Sequence, residues 1–233
     1  MKNLKTWAFA MMILFVGTTL TSCLNSDDSA PQGIARGMLS AGGLYLYTDD
    51  GFTLNIQNPT AMKLTDGTYP DRVVIVFSMM DGEDFESGKT KYNVNFDYYS
   101  SIMGMCEFSE EPVEQNTPIV ALKGLTSGQG YLDVWARYYY DKESALSDFT
   151  LYADRVEDGT LVFKFVQSGK VVNKYEETDT AFSFDLPYRN YIETEFPDVK
   201  FFGTTNDSIS VKVVANDTGA ELSQGPIKVK IQY

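Results

Sequence analysis

Covalent chemistry in this chain rests on very few side chains. It has two thiols, Cys23 and Cys106, and no histidine. The missing imidazole excludes Ser-His-Asp and Cys-His nucleophilic catalysis, His-ligated zinc, the commonest general base and the usual pH switch. Carboxylates are plentiful, and a pair for glycoside hydrolysis is defined by spatial separation, so the sequence singles out none. Calcium needs an ordered run of oxygen ligands, and "DRVEDG" (154–159) breaks the D-x-[DN]-x-[DN]-G order at Val156. Asp49-Asp50-Gly51 and the Asn206-Asp207-Ser208 stretch read as turns. No catalytic residue, metal site or cofactor is predicted.

Of the two thiols, Cys106 lies beside Met105 and close to Phe108, and reads as a buried small hydrophobe. It is the only cysteine after Cys23, which leaves a chain cut there no internal disulfide. Cys23 has a different setting. Lys2 and Lys5 form a positive n-region, "WAFAMMILFVG" an apolar h-region, and Thr21 and Ser22 supply small residues just before the cysteine. Gly17, Thr18 and Thr19 break the run too early for a membrane span. The order Leu20-Thr21-Ser22-Cys23 resembles the lipobox of bacterial lipoproteins, where the cysteine sulfur takes diacylglycerol and cleavage leaves it as the first residue. Residues 1–22 are thus predicted to be a lipoprotein signal peptide and Cys23 the lipid attachment site. More than one acyl chain is needed for firm anchoring, and a triacylated cysteine supplies it.

Ser26, Asp27, Asp28 and Ser29 follow. Their composition suits a flexible solvated tether over residues 23–33. It also resembles the acidic surface-export signal of Bacteroidetes lipoproteins, and both readings can hold. The expected location is the outer membrane at the cell surface, with the periplasmic face as the alternative.

Two further stretches could meet a ligand or a modifying enzyme. In "YLDVWARYYY" (131–140), strand alternation puts Leu132, Val134, Ala136, Tyr138 and Tyr140 on a core face. Tyr131, Asp133, Trp135, Arg137 and Tyr139 take the other. Trp135, Arg137 and Tyr139 form the candidate ligand surface, either a stacking platform for sugar rings or a protein contact, set against plain cross-strand packing. Asp28-Ser29-Ala30, Asp179-Thr180-Ala181 and Asp207-Ser208-Ile209 resemble the Asp-Ser/Thr-apolar O-glycosylation motif of Bacteroidetes proteins, against chance in an Asp- and Thr-rich chain. Ser208 is the candidate retained.

The elements that must position these residues are strands. "KYNVNFDYY" alternates Tyr92, Val94, Phe96 and Tyr98 against Asn93, Asn95 and Asp97. "TAFSFDLP" and "PIKVKIQY" alternate likewise, while "RVVIVFSMM" (72–80) is apolar on both faces, as in a central strand. Tyr98 is expected in the core and Tyr99 outside. Asp50-Gly51, Asp66-Gly67, Asp158-Gly159 and Ser168-Gly169 supply tight turns. The predicted class is all-β. Residues 34–109, with about five strands, suit a small OB-like barrel. Residues 110–118, "EEPVEQNTP", read as a linker rather than a long surface loop. Residues 119–233, with about seven strands, suit an Ig- or fibronectin-like β-sandwich. The formal net charge of −13, more negative once Lys2 and Lys5 are removed, speaks against nucleic-acid partners.

The series as a whole resembles the NigD-like lipoprotein family. The matching pieces are the lipobox with "SDDS", "LTDGTYPDRVVIVFSMMDGE" (64–83), "KYNVNFDYYSSI" (91–102), "SGQGYLDVWARYYYDKESALSDFTLYAD" (127–154), "GTLVFKFVQSG" (159–169) and "AFSFDLPYRNY" (181–191). Where that family's strand often ends in an Arg-His-Asn-like triplet, this chain has Phe165-Val166-Gln167. The resemblance implies an N-terminal OB-like barrel, a C-terminal β-sandwich, and a bacteriocin-immunity or accessory role without catalytic residues. The expected partners are the membrane, through the lipid, and an envelope protein or a glycan.

Overall fold

The computed structural model describes residues 32–141, 145–172, 176–203, 205, 207–216 and 221–231. Cys23 and the Ser26–Ser29 patch, with the whole of residues 1–31, lie outside the described residues.

Period-two alternation builds the first unit. Strands β1 (Gln32–Leu39), β2 (Tyr45–Thr48), β3 (Thr53–Ile56), β4 (Arg72–Met79) and β5 (Lys91–Ile102) close into a barrel in the order β1-β2-β3-β5-β4. β3 and β5 run parallel and every other neighbouring pair antiparallel, so this is an OB-like barrel. Leu46, Leu54, Val73, Ile75, Phe77 and Val94 fill it, and Met62, on a 3-10 turn between β3 and β4, is fully buried in the same core.

One side-chain orientation differs from the alternation. Tyr98 is 57% exposed, whereas Tyr99 turns inward and its hydroxyl donates to the Met62 carbonyl at 2.5 Å. The register explains it. Phe96 pairs Phe77 and Tyr98 pairs Val76, so Asp97 is an extra residue on β5. A bulge of one residue reverses which face each following side chain takes.

The second unit holds β6 (Gly104–Cys106), β7 (Phe108–Ser109), β8 (Ile119–Gly128), β9 (Tyr131–Tyr139), β10 (Phe149–Glu157), β11 (Thr160–Gln167) and β12 (Glu177–Asp185). A short helix α1 (Arg189–Glu195) follows, then β13 (Phe201–Phe202), β14 (Ser208–Ala215) and β15 (Leu222–Lys230). One sheet runs β6-β12-β9-β8. The other runs β13-β14-β11-β10-β7, with β15 also on β14. β6 and β7 fall inside the range assigned above to the barrel, yet they pair with β12 and β10. Each is too short to signal which sheet it joins.

Aromatic rings tie the two sheets. Phe149 and Phe182 lie 4.4 Å apart between ring centres, Tyr138 and Phe149 4.6 Å. The β10–β11 hairpin turns on Asp158 and Gly159, both at positive φ (53° and 85°), which suits Gly and is tolerated by Asp. No helix among the described residues is long and apolar enough to cross a membrane.

Candidate functional site

The most organised group of side chains lies at the seam between the two units. Arg72 opens β4, Asp49 follows β2 in the turn to β3, Arg36 sits on β1, and Asp133 comes from β9 of the facing sheet. The Arg72 and Asp133 side chains are wholly buried, and that of Asp49 nearly so. Arg72 Nε donates to Asp133 Oδ1 at 2.8 Å and Nη2 to Asp133 Oδ2 at 2.7 Å. Its other edge donates from Nη1 to Asp49 Oδ1 at 3.0 Å and from Nη2 to Asp49 Oδ2 at 2.8 Å. One guanidinium thus holds two carboxylates in forked pairs, the geometry Arg supports and Lys does not.

Arg36 completes the charge balance. Its Nε donates to Asp49 at 2.5 Å, Nη1 to the Thr126 hydroxyl, and Nη2 to the Ser127 carbonyl at 3.1 Å. Ser183 donates to Asp133 at 2.7 Å, and Gln129 Nε2 reaches the Thr48 carbonyl at 2.8 Å. Two cations and two anions make a neutral cluster, which is what lets it be buried. Burial alone would lower the proton affinity of Arg72, but the bonds it donates to Asp133 and Asp49 outweigh it and the net shift is upward. The cluster's four charged groups bond one another, and the bonds from Arg72 and Arg36 to Asp133, Thr126 and Ser127 join barrel to sandwich. Gly128 permits the approach, because a Cβ there would land on the Asp49 side chain.

The sequence pattern does not bring this cluster together: it places Asp133 with the aromatic face of β9 and Asp49 in a turn. The one signal it offers is Arg72 at the head of an otherwise apolar strand.

The β9 candidates lie beside the seam. Trp135 is half-buried and faces the small residues Gly124 and Ala181 on the neighbouring strands. It lines a shallow cleft of about 220 Å³ with Ser101 and Ile102 of the barrel and Lys123, Asp179 and Thr180 of the sandwich. That is below the roughly 300–1,000 Å³ of small-molecule pockets. Arg137 is held by Asp179, from Nε at 2.9 Å and Nη2 at 3.1 Å, and Lys123 takes the same carboxylate at 2.5 Å. Arg137 first, then Lys123, lowers the Asp179 pKa to about 2. Tyr139 is half-buried at the end of β9.

Ser208 begins β14, half-buried and paired with both Phe202 and Lys230. Its hydroxyl donates to Asp207 at 3.1 Å. Thr180, in the related motif, lies inside β12 within 3.2 Å of the Tyr138 hydroxyl. Cys106 packs against the sandwich core, where burial pushes its thiol up to about 12, far from a reactive thiolate. Among the described residues no group of three or more His, Cys, Asp or Glu could hold a metal ion.

No family model matches the chain, and no curated protein matches it. Several solved structures are similar. A protein described as a "Putative lipoprotein" from Bacteroides fragilis aligns at a TM-score of 0.53 and 10% identity, over 87% of this chain and 99% of that one. A "Putative TOXIN related protein" from Parabacteroides distasonis aligns at 0.52 and 15% identity, over 87% and 94%. A NigD-like immunity protein from Bacteroides caccae aligns at 0.49 and 15% identity, over 88% and 99%. At these identities the likeness concerns the fold. The chain has the barrel-and-sandwich architecture that its resemblance to the NigD-like lipoproteins implies, and it shares that architecture with the B. fragilis and P. distasonis proteins.

Proposed function

We propose that this chain is a non-enzymatic lipoprotein of the cell envelope. It is anchored through Cys23 at the outer membrane and displayed at the surface on its acidic tether. Its two β units present a rigid body to another envelope component. The observation that carries this reading is the Leu20–Cys23 lipobox in front of a fold matched along 99% of a chain described as a lipoprotein. The buried Arg72 cluster supports the rigid-display part, because it ties the two units by charge-assisted bonds. Within this reading the function is bacteriocin immunity or an accessory role, supported by the sequence resemblance and by the description of the P. distasonis protein as toxin-related.

Two experiments test it. Metabolic labelling with an alkyne fatty acid marks the wild-type chain and leaves Cys23→Ala unlabelled; label that survives in Cys23→Ala refutes the anchor. Cells lacking the gene are then challenged with culture fluid from bacteriocin-producing relatives. Killing that rises, and is reversed by the wild type but not by Cys23→Ala, supports immunity. Unchanged killing removes it and leaves the envelope lipoprotein.

A further inference from the structure

The outer wall of the barrel on β2, β3 and β5 carries side chains that the seam does not use. In β2, Leu46 and Thr48 point into the core, so Tyr45 and Tyr47 point out, 41% and 47% exposed. Their ring centres lie 6.5 Å apart with planes inclined by 30°, which makes one nearly continuous aromatic surface along the strand. Across the sheet Tyr45 pairs with Asn55, and Asn55 pairs with Asn93. The amides form a ladder. Asn55 Nδ2 donates to Asn93 Oδ1 at 2.7 Å, Gln57 Nε2 donates to the same oxygen at 3.3 Å, and Asn93 Nδ2 donates to Glu83 at 2.6 Å.

A single exposed tyrosine on a strand means little, because most protein surfaces carry some. Here two stacked rings adjoin three amides that are already oriented by one another. Asn55 and Gln57 act as donors within the ladder, so their carbonyl oxygens keep acceptor capacity for a ligand hydroxyl. Flat apolar faces beside fixed amides match a sugar ring, which offers C–H faces and a rim of hydroxyls.

Charge decides which ligand. In an OB barrel the β2–β3 face is where oligonucleotides and oligosaccharides lie. A net charge of −13 repels a polyanion. On the face itself Glu83 is neutralised by Lys89 at 2.5 Å, and Lys91 stands at its edge opposite the end of β3. We propose that the β2–β3–β5 face of the barrel is a binding site for neutral glycan chains, with Tyr45 and Tyr47 as the stacking platform and Asn55 and Gln57, oriented by Asn93, as the hydroxyl partners. It is separate from the Trp135 cleft and independent of the immunity reading.

The test uses the full lipidated chain purified in detergent and captured by a tag, with binding read by interferometry. The neutral probes are yeast mannan, laminarin and xyloglucan; the anionic control is polygalacturonate. Expected is saturable binding to at least one neutral probe and none to the control. Tyr45→Ala/Tyr47→Ala should weaken it about ten-fold or more, the scale of an aromatic stacking contact. Tyr45→Phe/Tyr47→Phe keeps the rings and should retain most of the binding, which separates loss of the platform from loss of the fold. Trp135→Ala should leave it unchanged. The proposal is overturned by no binding to any neutral probe, by binding that survives the double alanine variant, by dependence on Trp135, or by preference for polygalacturonate. None of these outcomes bears on lipidation at Cys23.

Discussion

Replacing Arg72 by methionine removes the guanidinium that grips both carboxylates while keeping much of the side-chain volume. Four charge-assisted hydrogen bonds disappear at once. Asp133 and Asp49 then stay in a site from which solvent is excluded. Removing one partner of a buried pair typically costs about 3–5 kcal/mol, because the remaining charge is stranded. Arg36 still lies 2.5 Å from Asp49 and 3.6 Å from Asp133, so the lower figure, about 3 kcal/mol, is expected at pH 7. Urea unfolding followed by tryptophan fluorescence reads this directly. The sequence has two tryptophans; Trp135 stands beside the seam, and Trp7 falls in the predicted signal peptide, so the measurement uses the chain beginning at Cys23. A deficit below about 1 kcal/mol at pH 7, the range of a surface ion pair, would refute the account of the seam as a buried lock.

Three smaller effects follow from the same geometry. Gly128→Ala should destabilise by about 1–3 kcal/mol, since its Cβ meets an Asp49 side chain that two arginines hold in place. Gly124→Ala, with no contact closer than 3.8 Å, is the tolerated comparison in the same urea assay. Tyr99→Phe should cost about 1 kcal/mol for its bond to the Met62 carbonyl, and Tyr98→Phe nothing beyond about 0.5 kcal/mol. The reverse ranking would mean that the β5 bulge is misplaced. Asp179, held near about 2 by Arg137 and Lys123, contributes stability that is present above its ordinary value of 3.8 and lost as pH falls toward about 2. In Arg137→Ala a carbon-detected NMR titration should find its midpoint moved upward.

Strands were the most legible part of this chain, because their alternation is local. "YLDVWARYYY" sends Leu132, Val134, Ala136 and Tyr138 into the core as its pattern predicts, whereas Tyr140, one residue past the end of β9, is exposed. The opposite face was harder, since its burial depends on another part of the molecule. Asp133 looks like a solvated acid until the barrel brings Arg72, 61 residues earlier, against it. Ser183 likewise sits at a polar position of "TAFSFDLP", yet is fully buried because it faces the same seam. The Tyr98 and Tyr99 reversal was hidden for a different reason. One extra residue at Asp97 is visible only in the pairing between β4 and β5. The paired tyrosines of β2 stood in plain view, but their meaning depends on the amides that β3 and β5 place beside them.

The position of β1 also sets how this molecule meets a mechanical load. With the proposed anchor at Cys23, a pull on the body would reach the described structure at Gln32, the first residue of β1. β1 is bonded to β2 on one side and to β4 on the other, where seven residue pairs run from Gln32 opposite Ser78 to Met38 opposite Arg72. Tension along β1 therefore strains many hydrogen bonds side by side instead of peeling them one after another. At its far end that ladder hands the strain to Arg72, and through Arg72 to the sandwich. Drag from flow or from a bound partner is resisted by both units together.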